Sequence, residues 1–446
     1  MRINRLTIRN FKGFEDRSLD FPPPHARADE PAGSFHLLVG ENGSGKSTAL
    51  DAVAVALGIW HVARPAAGWR AIRKGEARLV QIKDGDRTRF EPMPDAAIEA
   101  AGVIGDQAVS WVRMNKGHST RTSNAEAQEA LAVVEALLKR SRTPEVEVTL
   151  PVLAYYGAGR AWLPQTERVP GSQQQSGKVS RFDAYYSSLD GRIRDRELNE
   201  WFLFEALEAF QRGEKRAGMK VVEAAVLACL PDARALRFDA DRREIVVVLK
   251  QGKGGEVPYY SLSDGQRAML SLVADLARKA VILNPHLGHH AARKSPGVVL
   301  IDELDLHLHP KWQRQVVADL KRTFPAMQFI CTTHSPFIIQ SVAAGELIRL
   351  DGDVAPEEYA DASIEDIAEA VQGIRNPQRS QRAEAVDQAA QEYFALLRAK
   401  KKVPRSRLAR AEATYRKAAA PFASDAGISA LLKLEALAAA KEGGHA

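Results

Sequence analysis

The stretch "GENGSGKSTAL", Gly40 to Leu50, limits what this chain can fold into more than any other. It follows the apolar run "FHLLVG" and opens the run "KSTALDAVAVALG", so it reads as strand, glycine-rich loop, helix. Gly40, Gly45, Lys46 and Ser47 fit the spacing G-x-x-x-x-G-K-[ST]. Glycines let backbone N–H groups wrap a phosphate, which brings Asn42, Gly43, Ser44 and Thr48 to the same anion as the positive end of the helix. Lys46 is spaced to reach β- and γ-phosphates, and Ser47 offers a hydroxyl to Mg²⁺.

The remaining patterns point to an α/β architecture. "INRLTI" reads as a strand, and "GVVLIDE", "MQFICTT" and "ELIRL" are short apolar runs bounded by polar turns, as buried parallel strands are. "VEVTLPVLAYY" reads as another strand, turned out by "GAGR", Gly157 to Arg160. "NAEAQEALAVVEALLKR" predicts an amphipathic helix with Asn124 as its N-cap. "ELNEWFLFEALEAFQRGEKR" predicts a helix with an aromatic face, and "RALRFDADRREIVVVLK" a hairpin. At 446 residues the chain suffices for two or three packed units. The expected division is an ATPase lobe with the phosphate loop (1–60), a compact inserted strand and helix subdomain (61–260), the second part of the ATPase head (261–360) and a helical, basic C-terminal region (361–446).

Composition excludes several classes. No apolar run reaches the roughly 18 residues of a membrane-spanning helix. The N-terminus lacks the apolar core of a signal peptide. Two cysteines, Cys229 and Cys331, cannot build a disulfide framework, so a cytoplasmic location is expected. Net charge is +6, and residues 396–417 hold nine Lys/Arg against the single acid Glu412, so the rest of the chain is slightly acidic. Charge this concentrated suits nucleic-acid phosphates or an acidic partner.

Three further stretches carry chemistry. In "VVLIDELDLHLHP", four apolar residues end in Asp302 and Glu303. Asp302 there can hold the Mg²⁺ shell, and Glu303 can orient and polarise an attacking water. In "SLSDGQRAML", Ser263 can cap a helix whose first residues include Gly265 and Gln266, a second grip for a γ-phosphate. In "ICTTHSP", His334 follows an apolar strand, where it can sense a γ-phosphate.

The order phosphate loop, LSDGQ, apolar-DE, strand-His resembles the ABC-type ATPase heads of the SMC and RecF group, as does "LTIRNFKGFED" at the N-terminus. "DELDLHLHPKWQ", "TTHSP" and "VLAYYGAGR" make it look like the compact bacterial AAA-type ATPases of anti-phage defence, such as the Septu ATPase and the heads of overcoming-lysogenization-defect proteins. The resemblance covers roughly residues 1–350. It implies a P-loop NTPase fold of ABC type, with ATP and Mg²⁺ as cofactors. It implies that two copies, or a higher even oligomer, close around ATP. Lys46, Ser47, Asp302, Glu303 and His334 would act from one copy, and Ser263 and Gly265 from the other. It also implies Arg9, Asn10 and Lys12 near the nucleotide, and a glutamine for which Gln81 and Gln107 are the candidates.

His307 and His309 beside Asp305 suit an interface loop better than a metal site, and His286, His289 and His290 suit an exposed loop. The basic segment lacks aromatic interleaving, so it suits backbone contact rather than base reading. About 85 residues after the head read as helices, so an in-chain nuclease, which would need a further α/β unit, is not expected. The expected function is an ATPase that regulates a separate effector, a partner nuclease, in defence. The rivals are a RecF-like ATPase acting on DNA, a slow nucleotide-sensing clamp and a transporter ATPase subunit.

Overall fold

The computed structural model describes residues 1–23, 33–63, 70–117, 119, 121–143, 145–161, 180–186, 188–250, 255–343, 345–351, 359, 361–374, 376–398 and 403–422. The chain divides into two compact units, Met1–Ile367 and Ala368–Ala446.

The first unit is built on a five-stranded parallel sheet. Its order is Leu347–Arg349, Ser34–Val39, Met327–Thr332, Gly297–Ile301, Val152–Tyr156. The three middle strands are buried almost throughout, which explains their unbroken apolar runs. A second, antiparallel sheet is led by Arg2–Phe11, which pairs with Phe14–Asp20 on one side and Ala97–Ile104 on the other. A bulge between Ile3 and Arg5 resets the alternation, so that Ile3, Leu6 and Ile8 all face inward. The Gln328 side chain joins the two sheets. It accepts from Ile3 N–H at 2.9 Å and donates to Ile3 C=O at 2.7 Å.

The helix Lys46–Leu57 packs against strands of both sheets. Everything from Ala52 to Leu57 is buried, so the second half of this helix has no polar face. Its C-terminal carbonyls need partners. Trp111 donates to Ala56 C=O at 3.1 Å, and the buried Arg113 guanidinium donates to Val55 C=O. Burial lowers the Arg113 pKa to about 10.

Three expectations change. The stretch 61–260 is not a separate insert: Ala97–Ile104 and Gln107–Asn115 lie in the antiparallel sheet, and Val152–Tyr156 edges the parallel one. Local periodicity marks a strand but not the sheet that receives it. The strand expected from Val146 begins only at Val152, after Pro151, which has no N–H to donate. Asn124 does not cap its helix, which starts at Gln128; its Oδ1 instead accepts from Arg113 Nε at 3.0 Å.

In the second unit, Gln381–Arg398 and Arg405–Ala419 pair as helices around Val386, Ala390 and Phe394, with Tyr393 and Tyr415 stacked at 5.8 Å. Arg405, Arg407, Arg410, Arg416 and Lys417 are exposed. Lys400, Lys401 and Lys402 of the basic segment lie outside the described residues, as does the Arg398 side chain.

Candidate functional site

The strand Ser34–Val39 ends at Gly40, and the loop that follows turns through left-handed glycines, with φ +87° at Gly43 and +96° at Gly45. Gly45 is also forced by packing, because a Cβ there would lie 2.5 Å from the Phe14 ring. Lys46 is buried, and its Nζ donates to Gly40 C=O at 2.7 Å and Glu41 C=O at 2.9 Å. Burial lowers the Lys46 pKa, against the opposite pull of Asp351, Asp302 and Glu303. Asp351 was not foreseen from the sequence. Its Oδ2 accepts from Glu41 N–H at 2.8 Å, which pins the loop from a residue 310 positions away. Ser44 Oγ is buried with no hydrogen-bond partner among the described residues.

The acidic strand Gly297–Ile301 delivers Asp302 and Glu303 to this loop. Ser47 Oγ lies 3.1 Å from Asp302 Oδ1. Asp302 Oδ1 also accepts from Thr332 Oγ1 at 2.6 Å, and its N–H donates to Tyr156 C=O at 2.8 Å. Glu303 has φ +49°, a left-handed conformation costing on the order of 1–3 kcal/mol for a non-glycine residue. Four hydrogen bonds surround it. Glu303 N–H donates to Thr332 Oγ1 at 2.8 Å, and Leu304 N–H to Thr332 C=O at 2.8 Å. Glu303 C=O accepts from Leu306 N–H at 3.0 Å and from Arg160 at 2.9 Å.

The other foreseen residues fall as follows. His334 is exposed, and its N–H donates to Asp305 Oδ1 at 3.2 Å. Thr333 Oγ1 donates to the same oxygen at 2.5 Å, and Ser335 Oγ to Gln313 Oε1 at 2.7 Å, so this turn is tied to the acidic loop. Ser263 caps the helix Asp264–Leu283 in a capping box with Gln266. Gly265 is buried against that loop; a Cβ there would meet His307 C=O at 2.5 Å. Among the described residues no hydrogen bond joins Ser263 or Gln266 to the phosphate loop of the same chain.

Of the N-terminal trio, Lys12 forms ion pairs with Asp51 of the phosphate-loop helix and with Glu76, in a cluster completed by Arg70. Asn10 donates to Pro94 C=O, and Arg9 pairs with Glu99 and Asp16. Gln81 sits exposed on the ribbon formed by Leu79–Asp84 and Arg87–Pro92, and Gln107 is exposed at the start of Gln107–Asn115. Neither has a hydrogen bond to the loop among the described residues. His309 caps the helix Pro310–Thr323, His286 bonds Thr149, and His289 and His290 are exposed. Sequence reasoning singled out the stretches "GAGR" and "TTHSP" but gave Arg160, Thr332 and Thr333 within them no role of their own.

A protein-family model described as "AAA domain, putative AbiEii toxin, Type IV TA system" matches residues 118–340, and one described as "AAA domain" matches residues 5–217. The chain is similar to the "Retron Vc95 probable ATPase" of Vibrio cholerae serotype O1 biovar El Tor, 24% identical over 370 residues, covering 70% of this chain and 68% of that one. The "Retron Ec83 probable ATPase" of Escherichia coli is 24% identical over 406 residues, 77% of this chain and 70% of that one. The "Septu protein PtuA" of Bacillus thuringiensis is 29% identical over 163 residues, 34% of this chain and 41% of that one. Among solved structures, an SMC head bound to the C-winged helix domain of ScpA superposes with TM-score 0.46 at 17% identity, covering 80% of this chain and 95% of that one. The first family model spans half of the chain, from before the acidic strand to beyond His334, and the chain belongs to this AAA-domain family.

Proposed function

We propose that this chain is an ATPase that holds ATP and Mg²⁺ at its phosphate loop, closes on a second copy around the nucleotide and so regulates a separate nuclease-type effector in anti-phage defence. One observation carries the ATPase reading: Ser47 Oγ and Asp302 Oδ1, 255 residues apart in sequence, converge to 3.1 Å at the start of the loop helix. A hydroxyl and a carboxylate oxygen are the hard donors Mg²⁺ takes, and the space over Gly43 is open, since a Cβ there would meet nothing within 4 Å. Ser47 and Asp302 would hold Mg²⁺, which would supply neutralisation of the charge on the phosphates.

The residues divide the work by position. Lys46 moves its donors from the Gly40 and Glu41 carbonyls to phosphate oxygens. N–H groups of Asn42 to Thr48 surround the phosphate. Glu303 orients the attacking water and His334 faces the γ-phosphate. Ser263, Gly265 and Gln266, at the start of the helix Asp264–Leu283, serve the partner copy's nucleotide.

The defence reading is supported by relatives named for retrons and Septu. The exposed arginines of Arg405–Ala419 suit a nucleic-acid backbone or an acidic partner. No helix among the described residues is long and apolar enough to cross a membrane.

Glu303→Gln tests the catalytic assignment. It keeps ATP binding and traps the closed dimer, while turnover falls about a hundredfold or more. Unchanged turnover removes Glu303 from this role. Mass photometry of the chain co-expressed with its neighbouring genes tests the rest. An even-numbered assembly holding a nuclease-like protein supports effector control. A lone chain that dimerises with ATP and then binds DNA supports the RecF-like reading instead.

A further inference from the structure

Glu303 is held in its left-handed conformation by groups from two directions. One is Thr332, from the neighbouring strand Met327–Thr332. The other is Arg160, from the turn that leaves the strand on the opposite side, Val152–Tyr156. Arg160 is buried, and its two terminal nitrogens reach consecutive carbonyls of the acidic turn. Nη1 donates to Asp302 C=O at 2.5 Å, and Nη2 donates to Glu303 C=O at 2.9 Å. Nη1 also reaches Gly157 C=O at 3.2 Å, so the fork closes the turn onto its own strand. Its Nε is buried with no partner among the described residues. A planar guanidinium presents its N–H donors in a rigid fork, whereas an ammonium is a point charge on a flexible stem and fixes the direction of its partners less tightly. Among the described residues neither Gln81 nor Gln107 has a hydrogen bond to this turn.

We infer that Arg160 is a positioning residue for ATP hydrolysis, which fixes the Asp302–Glu303 peptide so that the Glu303 carboxylate is aimed at the attacking water. This rests on the ATPase reading above. Among the described residues Arg160 hydrogen-bonds only backbone carbonyls, so its effect passes through Glu303, and this separates it from a residue that binds the nucleotide.

The experiment is a double-mutant cycle on the full chain, using Arg160→Lys, Arg160→Gln, Glu303→Gln and their combinations. ATP turnover is measured with a radiolabelled single-turnover assay, affinity with a fluorescent ATP analogue, and folding by thermal melting. In the native background both Arg160 variants lower turnover by about ten- to a hundredfold, with analogue affinity changed by under about threefold. In the Glu303→Gln background the same changes lower the residual rate by under about twofold, because the carboxylate they would misplace is gone. Equal losses in both backgrounds, or affinity falling in step with turnover, overturn the inference while leaving the ATPase reading standing. If Arg160→Gln unfolds, Arg160→Lys alone decides the cycle, since it keeps charge and bulk. Absence of ATP turnover in the native chain defeats the ATPase reading, and the inference with it.

Discussion

At the scale of single residues, the phosphate loop combines two constraints at one position. Gly45 has φ +96°, and its α-carbon faces the Phe14 ring so closely that a Cβ would lie 2.5 Å away. Gly45→Ala therefore meets backbone strain of roughly 1–2 kcal/mol as well as a clash. The expected result is a lower melting temperature and ATP-analogue affinity weakened more than about tenfold, because the N–H groups of the loop lose their common focus. Adding Phe14→Leu relieves the clash but not the strain, so melting recovers in part and affinity does not. Calorimetry and fluorescence titration read the two effects separately. Full recovery of affinity in the double variant would show that packing alone requires the glycine. Lys46, Ser47 and Asp302 were legible because their spacing to glycines or to an apolar run is local. Asp351 and Thr332 were not, because a lone acid after a strand and a threonine in "TTHSP" look alike whether they act or not.

Elements follow the same divide. The second half of the helix Lys46–Leu57, from Ala52 on, is apolar on all sides, which the sequence displays plainly, but only the fold explains it: sheets cover it from two directions. The two sheets are also joined directly by Gln328, which is 2% exposed. Gln328→Leu keeps the apolar surroundings filled and leaves Ile3 N–H and C=O without this partner, at about 1–3 kcal/mol for each orphaned group. Melting should fall by several degrees, roughly in line with that cost, with ATP-analogue affinity unchanged. An unchanged melting curve would mean that water or backbone movement satisfies Ile3. Strand assignment from sequence succeeded for "FHLLVG", "GVVLIDE" and "MQFICTT". It overextended "VEVTLPVLAYY", where Pro151 ends the ladder.

Across the whole molecule, two buried histidines link stability to pH. Burial, with Arg2 and Lys321 nearby, lowers His36 from 6.5 to about 3. Burial lowers His61 from 6.5 to about 4, despite its hydrogen bond to Tyr185 C=O. Each folded pKa lies below its unfolded value, so the unfolded chain takes up protons first as pH falls below 6.5. Stability is therefore complete above pH 6.5 and declines toward pH 4, by about 1.4 kcal/mol per histidine at pH 5.5. Asp195, Glu197 and Glu205, raised by burial, act in the opposite sense at the acidic end of that window. Melting temperatures at pH 7.5, 6.5 and 5.5 should fall in order, and His36→Gln should flatten the slope. A slope that the substitution leaves unchanged would exclude His36 as a source. By itself the sequence determined the phosphate loop, the acidic strand and the α/β class, because each is written in contiguous residues through period, apolar run or glycine spacing. Only the tertiary structure decided which strands share a sheet, and that Arg160, Thr332 and Asp351 hold the acidic turn and the loop. Those contacts span 142, 30 and 310 residues, and they depend on the direction of one side chain, which no local pattern encodes.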